Sequence, residues 1–288
     1  MSLTKELIKV NNLQLAAKLV SDQLVMGMHA SKRSGMGAEF EQYRHYIPGD
    51  DPKRIDWKLF ARTQKHQIRE SSTESTLCIN FILDLSGSMN YSENGVSRLN
   101  YAKILLASLS YLGFRQSDHM NLYFLKDGQL ERVVTEGKQS FQKILYQLEN
   151  AKAAGNWTFE KVNFQDFQSK AKELLIFASD LFQTDSEFFS LIKTWERPGK
   201  EILIFQILGE REIDLNLEGI IKFKDLETNQ TRELSASEIK KDYEKNFNFF
   251  LNELDNELNL KNVHIYRCKL SDPISEVLKN ALKKLKWS

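Results

Sequence analysis

Three apolar runs constrain this chain more than any other feature. Leu77 to Leu83, Glu173 to Ser179 and Glu201 to Leu208 are nearly unbroken in aliphatic and aromatic residues, and the first two are followed directly by an acid, Asp84 and Asp180. A strand with one wet face alternates polar and apolar residues, whereas a strand covered on both faces has no polar side to show. Between the runs, Arg98 to Phe114, Phe141 to Leu148 and Glu187 to Trp195 carry the 3.6-residue period of helices. Met120 to Leu125, Leu130 to Thr135, Ile220 to Phe223 and Val263 to Cys268 are further strand candidates. Strands that alternate with helices predict an α/β fold, a doubly wound, mostly parallel sheet with helices on both faces. In such folds ligand sites lie at the carboxyl ends of the strands. Ser237 to Leu258 is expected to be a long helix with Ser235 or Ser237 as its N-cap, and Ile274 to Leu285 a closing amphipathic helix.

Upstream, Leu3, Leu7, Val10, Leu13, Ala16, Ala17, Val20 and Leu24 have close to helical spacing, with a break expected near Asn11 and Asn12. The Gly- and Ser-rich stretch 26–40 reads as a loop. Beyond it the chain mixes aromatic and charged residues densely, with a short helix expected from Asp56 to Arg62 and a strand from His66 to Glu70. The expected division is an N-terminal helix and charged segment over 1–76, then the α/β domain with a C-terminal elaboration over 77–288.

Composition excludes several classes. Forty Lys and Arg against 39 Asp and Glu leave a net charge of +1, which gives no support to a nucleic-acid binder. Cys78 and Cys268 form no CxxC or Cys/His cluster and read as buried thiols. Lys5, Glu6, Lys9 and Lys18 interrupt the first apolar positions as no signal peptide would, and no uncharged run is long enough to span a membrane. The expectation is a cytoplasmic protein without a transmembrane segment.

The chemistry concentrates at the strand ends. Asp84-Leu85-Ser86-Gly87-Ser88 follows the first buried run in the pattern D-x-S-x-S. One carboxylate and two hydroxyls at alternate positions can face one point if the loop curls, and Gly87 permits a sharp turn. All three are hard oxygen donors of the kind that suit Mg²⁺ or Mn²⁺. Further oxygens must come from other strand ends: Asp180 after the second run, and Thr158 in the loop Gly155-Asn156-Trp157-Thr158. The competing explanation is that Asp84, Ser86 and Ser88 only cap the next helix and Asp180 is an ordinary strand-end acid.

D-L-S-G-S-M after a buried strand resembles the metal-ion-dependent adhesion site (MIDAS) of von Willebrand factor A domains. The resemblance implies that Asp84, Ser86, Ser88, Thr158 and Asp180 hold one divalent cation, directly or through water, and leave a position for a partner's carboxylate. The Thr loop departs from the usual Gly-Gly-Thr-Asp form. Glu39-Phe40, Tyr43-Arg44, Tyr46, Pro48-Gly49-Asp50-Asp51-Pro52, Arg54-Ile55-Asp56-Trp57-Lys58 and Ala61-Arg62-Thr63 resemble the signature of the bacterial family called domain of unknown function 58, with Asp225-Leu226-Glu227-Thr228 similar to a second motif of that family. There the signature precedes a von Willebrand A-like domain. Members are often encoded beside MoxR-type AAA+ ATPases, which implies a protein-interaction role with such an ATPase and a client protein.

Other readings start from the same residues. The signature segment, Tyr43 to Thr63, is either an internal ion-pair and hydrogen-bond network or a docking surface. The domain is either a metal-dependent interaction module or a metal-free scaffold. A metal-dependent hydrolase built on His45, Asp50, Asp51, Asp56 and His66 lacks a His-x-x-x-His spacing. No G-x-x-x-x-G-K-[ST] loop occurs for ATP, and neither serine sits in a G-x-S-x-G elbow. Lys279, Lys283, Lys284 and Lys286 beside Leu278, Leu282, Leu285 and Trp287 make the last helix basic and amphipathic; its apolar face is expected to pack on the domain rather than on a membrane.

Overall fold

The structure, a computed structural model, describes residues 12–32, 42–47, 50–52, 55–70, 77–127, 129–133, 139–154, 172–182, 186–215, 219–224 and 231–284. In chain order these form α1 (Leu13–Lys32), β1 (Gln42–His45), α2 (Trp57–Thr63), β2 (Gln67–Glu70), β3 (Cys78–Asp84), a 3-10 turn (Gly87–Asn90), β4 (Ser92–Glu93) and β5 (Val96–Ser97). There follow α3 (Arg98–Arg115), β6 (His119–Lys126), β7 (Gln129–Val133), α4 (Ser140–Asn150), β8 (Glu173–Ser179), α5 (Ser186–Trp195) and β9 (Lys200–Leu208). The remainder is α6 (Glu210–Ile213), β10 (Ile220–Lys224), β11 (Thr231–Ser235), α7 (Ala236–Glu257), β12 (Val263–Lys269) and α8 (Ile274–Lys284). The contacts divide the chain into a large unit, Met1–Met26 with Thr76–Ser288, and a small one, Gly27–Ser75.

In the large unit the three apolar runs become β3, β8 and β9, adjacent strands of a six-stranded sheet in the order β12-β9-β8-β3-β6-β7. All neighbours pair in parallel except β7, which returns antiparallel from β6 as an edge hairpin. One face carries Ile82, Leu175, Phe177, Ile202, Ile204 and Val263, covered by Phe188, Ile192 and Trp195 of α5 and Leu254 of α7. The opposite face is covered by α3, α4 and α8, which explains why α3 is buried on most sides and shows little amphipathic contrast. Ile274, Leu278 and Ala281 of α8 are buried, so the apolar face of the basic C-terminal helix packs on the domain.

The chain enters the sheet at β3, adds β6 and β7 on one side, then crosses to β8 on the other. The reversal falls between β3 and β8, the switch point beside which doubly wound sheets place their ligand sites. The loops that leave these two strands begin with Asp84 and Asp180.

Several elements depart from the sequence expectation. The 26–40 stretch was expected as a loop, but α1 runs on to Lys32. Ala16, Ala17, Val20 and Leu24 form a buried stripe that anchors the helix, and Ser21 Oγ donates to Ser108 O of α3 at 2.9 Å. Gly27 then costs only about 1 kcal/mol in a helix already nucleated. The hairpin partners β1 and β11 carried no strand signal of their own. In the small unit, Asp56 caps α2 by accepting from Lys58 N at 3.0 Å and Leu59 N at 2.9 Å, and Asp50 Oδ2 accepts from Ile47 N at 2.9 Å. Those two acids of the signature hold its own backbone turns.

Candidate metal centre at the sheet switch point

Asp84 is the last residue of β3 and is fully buried. Its Oδ1 accepts from Ser86 N at 2.8 Å, an Asx turn that curls the loop back over the strand end. Its Oδ2 accepts from Ser179 Oγ at 2.5 Å, which ties β3 to β8. Burial, and then the neighbouring negative charge of Asp180, push the Asp84 carboxyl up to about 7, against the lowering effect of hydrogen bonds from Ser179 and Ser86.

The two serines converge. Ser86 Oγ and Ser88 Oγ are hydrogen-bonded to each other at 3.0 Å. Neither acts as the cap of the helix that follows: α3 is capped by Ser97, whose Oγ accepts from Asn100 N at 3.1 Å, and Ser86 makes no side-chain cap to the 3-10 turn. Capping therefore does not explain the D-x-S-x-S pattern here.

Asp180 follows β8 and is buried beside Asp84. Its Oδ1 accepts from Phe182 N at 3.2 Å, and its carbonyl accepts from Gln206 Nε2 of β9 at 3.2 Å. Leu181 next to it adopts a left-handed φ of 60°, held by its N–H to Ser179 Oγ at 3.0 Å. A branched apolar residue in that region stores strain, a frequent companion of functional loops.

Asp84, Ser86, Ser88 and Asp180 are thus brought to one place. Thr158, the fifth expected ligand, lies outside the described residues, as does the Asp225–Thr228 motif. The chain before Thr158 does reach the site: Ala154 N donates to Leu85 O at 2.9 Å, and Asn90 Nδ2 donates to Ala153 O at 2.9 Å.

Arg98 is a member of the site that the sequence did not reveal. It opens α3 and its side chain is 1% exposed. Nη1 donates to Asp180 Oδ2 at 2.5 Å and to Ser88 O at 2.7 Å. Nη2 donates to both carboxylate oxygens of Glu212 on α6, at 2.7 and 2.5 Å. The guanidinium lies over the rings of Tyr91, at 4.9 Å, and Phe182, at 5.5 Å. Burial alone would pull its pKa down, but the Asp180 and Glu212 charges outweigh that and keep it charged. The available signal was a basic residue at the first position of a buried helix, where the helix dipole disfavours a cation.

Glu212 is itself fixed, since its Oε2 accepts from Gly209 N at 2.7 Å and its carbonyl accepts from Tyr243 Oη at 2.7 Å. Gly209 passes close under Tyr91: an added Cβ would stand 2.5 Å from Tyr91 Cε1 and 2.9 Å from Glu93 Oε2. Gly209→Ala should therefore lower stability by about 1–3 kcal/mol, measured by urea denaturation. An unchanged midpoint would mean that Tyr91 moves freely.

The residues present fit a small divalent cation. Two cis ligands of an octahedron with bonds of about 2.1 Å stand about 3 Å apart, the separation of the Ser86 and Ser88 hydroxyls. Asp180 and Glu212 outnumber Arg98 even while the Asp84 carboxyl keeps its proton, so the site carries excess negative charge. Among the described residues no group of three or more His, Cys, Asp and Glu side chains makes a metal cluster, so an ion here would rely on hydroxyls and water.

Several known proteins are similar to this chain. The uncharacterized protein Rv1480 of Mycobacterium tuberculosis is 23% identical over 238 residues, covering 78% of this chain and 72% of its own. Among solved structures, the conserved hypothetical protein BatB of Bacteroides thetaiotaomicron has a TM-score of 0.45 at 14% identity, covering 74% of this chain and all of that one. The SpRpn10 VWA domain has a TM-score of 0.40 at 13% identity, over 70% and 94% of the two chains. The sheet, doubly wound from β3 with D-x-S-x-S at its switch point, is von Willebrand A-like. The family described as protein of unknown function DUF58 matches residues 42–248, from the β1 hairpin into α7, and the chain belongs to that family.

Proposed function

We propose that this protein is a non-enzymatic protein-interaction module that binds its partner through a divalent cation, Mg²⁺ or Mn²⁺, held directly or through water by Asp84, Ser86, Ser88, Asp180 and Thr158. The observation that carries this reading is the convergence of two serine hydroxyls, 3.0 Å apart, beside a fully buried Asp84, at the switch point where a doubly wound sheet binds ligands. The hydroxyls face each other, an arrangement that activates neither as a nucleophile. When bound, the ion supplies a positive centre with open coordination positions, and a partner's carboxylate fills one of them. The resemblance to a family encoded beside MoxR-type AAA+ ATPases makes such an ATPase, or its client, the partner to try first.

The test is thermal unfolding with metal and with chelator. A ligand at about 100 times its Kd adds about 2.7 kcal/mol, or about 5–10 °C for a domain of this size. Millimolar Mg²⁺ or Mn²⁺ should raise Tm for the wild type and leave Asp84→Ala unmoved. A MoxR-type ATPase should be retained on the immobilised protein in Mg²⁺ and lost in EDTA. Equal retention in chelator, or by Asp84→Ala, would sink the metal-bridged mechanism and leave a scaffold.

A further inference from the structure

The site already contains one fixed cation. Both terminal nitrogens of Arg98 are committed, one to Asp180 and the Ser88 carbonyl, the other in a two-pronged grip on Glu212. Tyr91 and Phe182 flank the guanidinium, and its side chain is 1% exposed. A planar fork held in this way has little freedom to withdraw.

The consequence falls on Asp180. Its Oδ1 accepts from Phe182 N, a neutral donor, but its Oδ2 accepts from the charged Arg98 guanidinium, unlike either oxygen of Asp84, whose donors are neutral. A divalent ion bonded to the same Oδ2 would stand against a buried guanidinium, two like charges without water between them.

We infer that Arg98 is a positioning residue of the proposed divalent-ion site: it holds Asp180 out of direct coordination and offsets its charge, so that the protein alone binds the ion weakly and a partner's acid completes the shell. The inference rests on the metal-bridged reading above and specifies how that site is kept open. It also accounts for a buried arginine in the first turn of α3, where the helix dipole opposes it.

The experiment is a Mn²⁺ titration of the whole protein, followed by loss of the free-ion electron paramagnetic resonance signal. Wild type, Arg98→Lys and Arg98→Met are compared, with folding checked by circular dichroism. Removing the guanidinium frees Asp180 to coordinate, so Arg98→Met should bind Mn²⁺ at least tenfold more tightly than wild type. Arg98→Lys, which keeps the charge, should stay within about threefold of wild type. A merely structural role predicts the opposite sign, because a loosened site binds less well. Should Arg98→Met fail to fold, Arg98→Met with Glu212→Gln removes the stranded partner charge and carries the same expectation. Equal or weaker binding by folded Arg98→Met, or by the double variant used in its place, with wild type binding, overturns the role of Arg98 alone. Absence of Mn²⁺ binding in every protein at millimolar ion overturns the metal-bridged reading and this inference with it.

Discussion

Asp84→Asn should stabilise the metal-free protein, and by more at pH 8 than at pH 5. The Asp84 carboxyl is raised from 3.8 to about 7 by burial and by the adjacent charge of Asp180. Between those two pH values the unfolded chain has released a proton that the folded chain still holds, so the contribution of this group to stability falls as pH rises. Below about pH 4 the stabilisation is fully present; it is lost through about pH 7 and then levels off. A difference of this size corresponds to about 4 kcal/mol as an upper bound. Asparagine mimics the uncharged acid: its carbonyl can accept from Ser86 N, and its amide can donate to Ser179 Oγ once that hydroxyl turns its proton away. It does not titrate, so the Tm difference between variant and wild type in EDTA should widen from pH 5 to pH 8. Added Mg²⁺ should narrow that difference at pH 8, because only the wild type supplies an anion to the ion at this position. A variant less stable than wild type at pH 8 in EDTA would show that the folded protein holds Asp84 ionised.

Phe81→Ala should cost about 3–5 kcal/mol, a large part of the stability of an ordinary domain. Phe81 is fully buried at the middle of β3, opposite Leu122 of β6 and Ile176 of β8. By strand alternation it points to the face away from Asp84, so the substitution opens a cavity in the core without touching a proposed ligand. At about 2–4 °C per kcal/mol, Tm should fall by about 6–20 °C. Any Mg²⁺-induced rise in Tm should survive, since the Ser86 and Ser88 loop is unaltered. A fall of less than 2 °C would contradict the central position of β3.

The nearly unbroken apolar runs Leu77–Leu83, Glu173–Ser179 and Glu201–Leu208 were enough to place β3, β8 and β9 in a sheet covered on both faces, because a strand with no polar side can be stable only there. They also placed Asp84 and Asp180 at strand ends, and D-x-S-x-S marked the loop that curls. The short hairpins were less legible, since β11 is exposed along most of its length and carries no hydrophobic period to betray it. The course of α1 beyond Leu24 was hidden for a related reason: its anchoring contacts are made with α3, across 87 residues of sequence at Ser21.

Local pattern, then, determined which segments are strands and which oxygens stand at their ends, because burial on two faces and turn chemistry are written in neighbouring residues. Only the tertiary structure decided what surrounds those oxygens. Arg98 meets Asp180 and Glu212 from 82 and 114 positions away, and Ser179 meets Asp84 from 95. Charge pairing in a low-dielectric interior depends on distance in space, and the winding of the sheet, not the order of the chain, sets that distance.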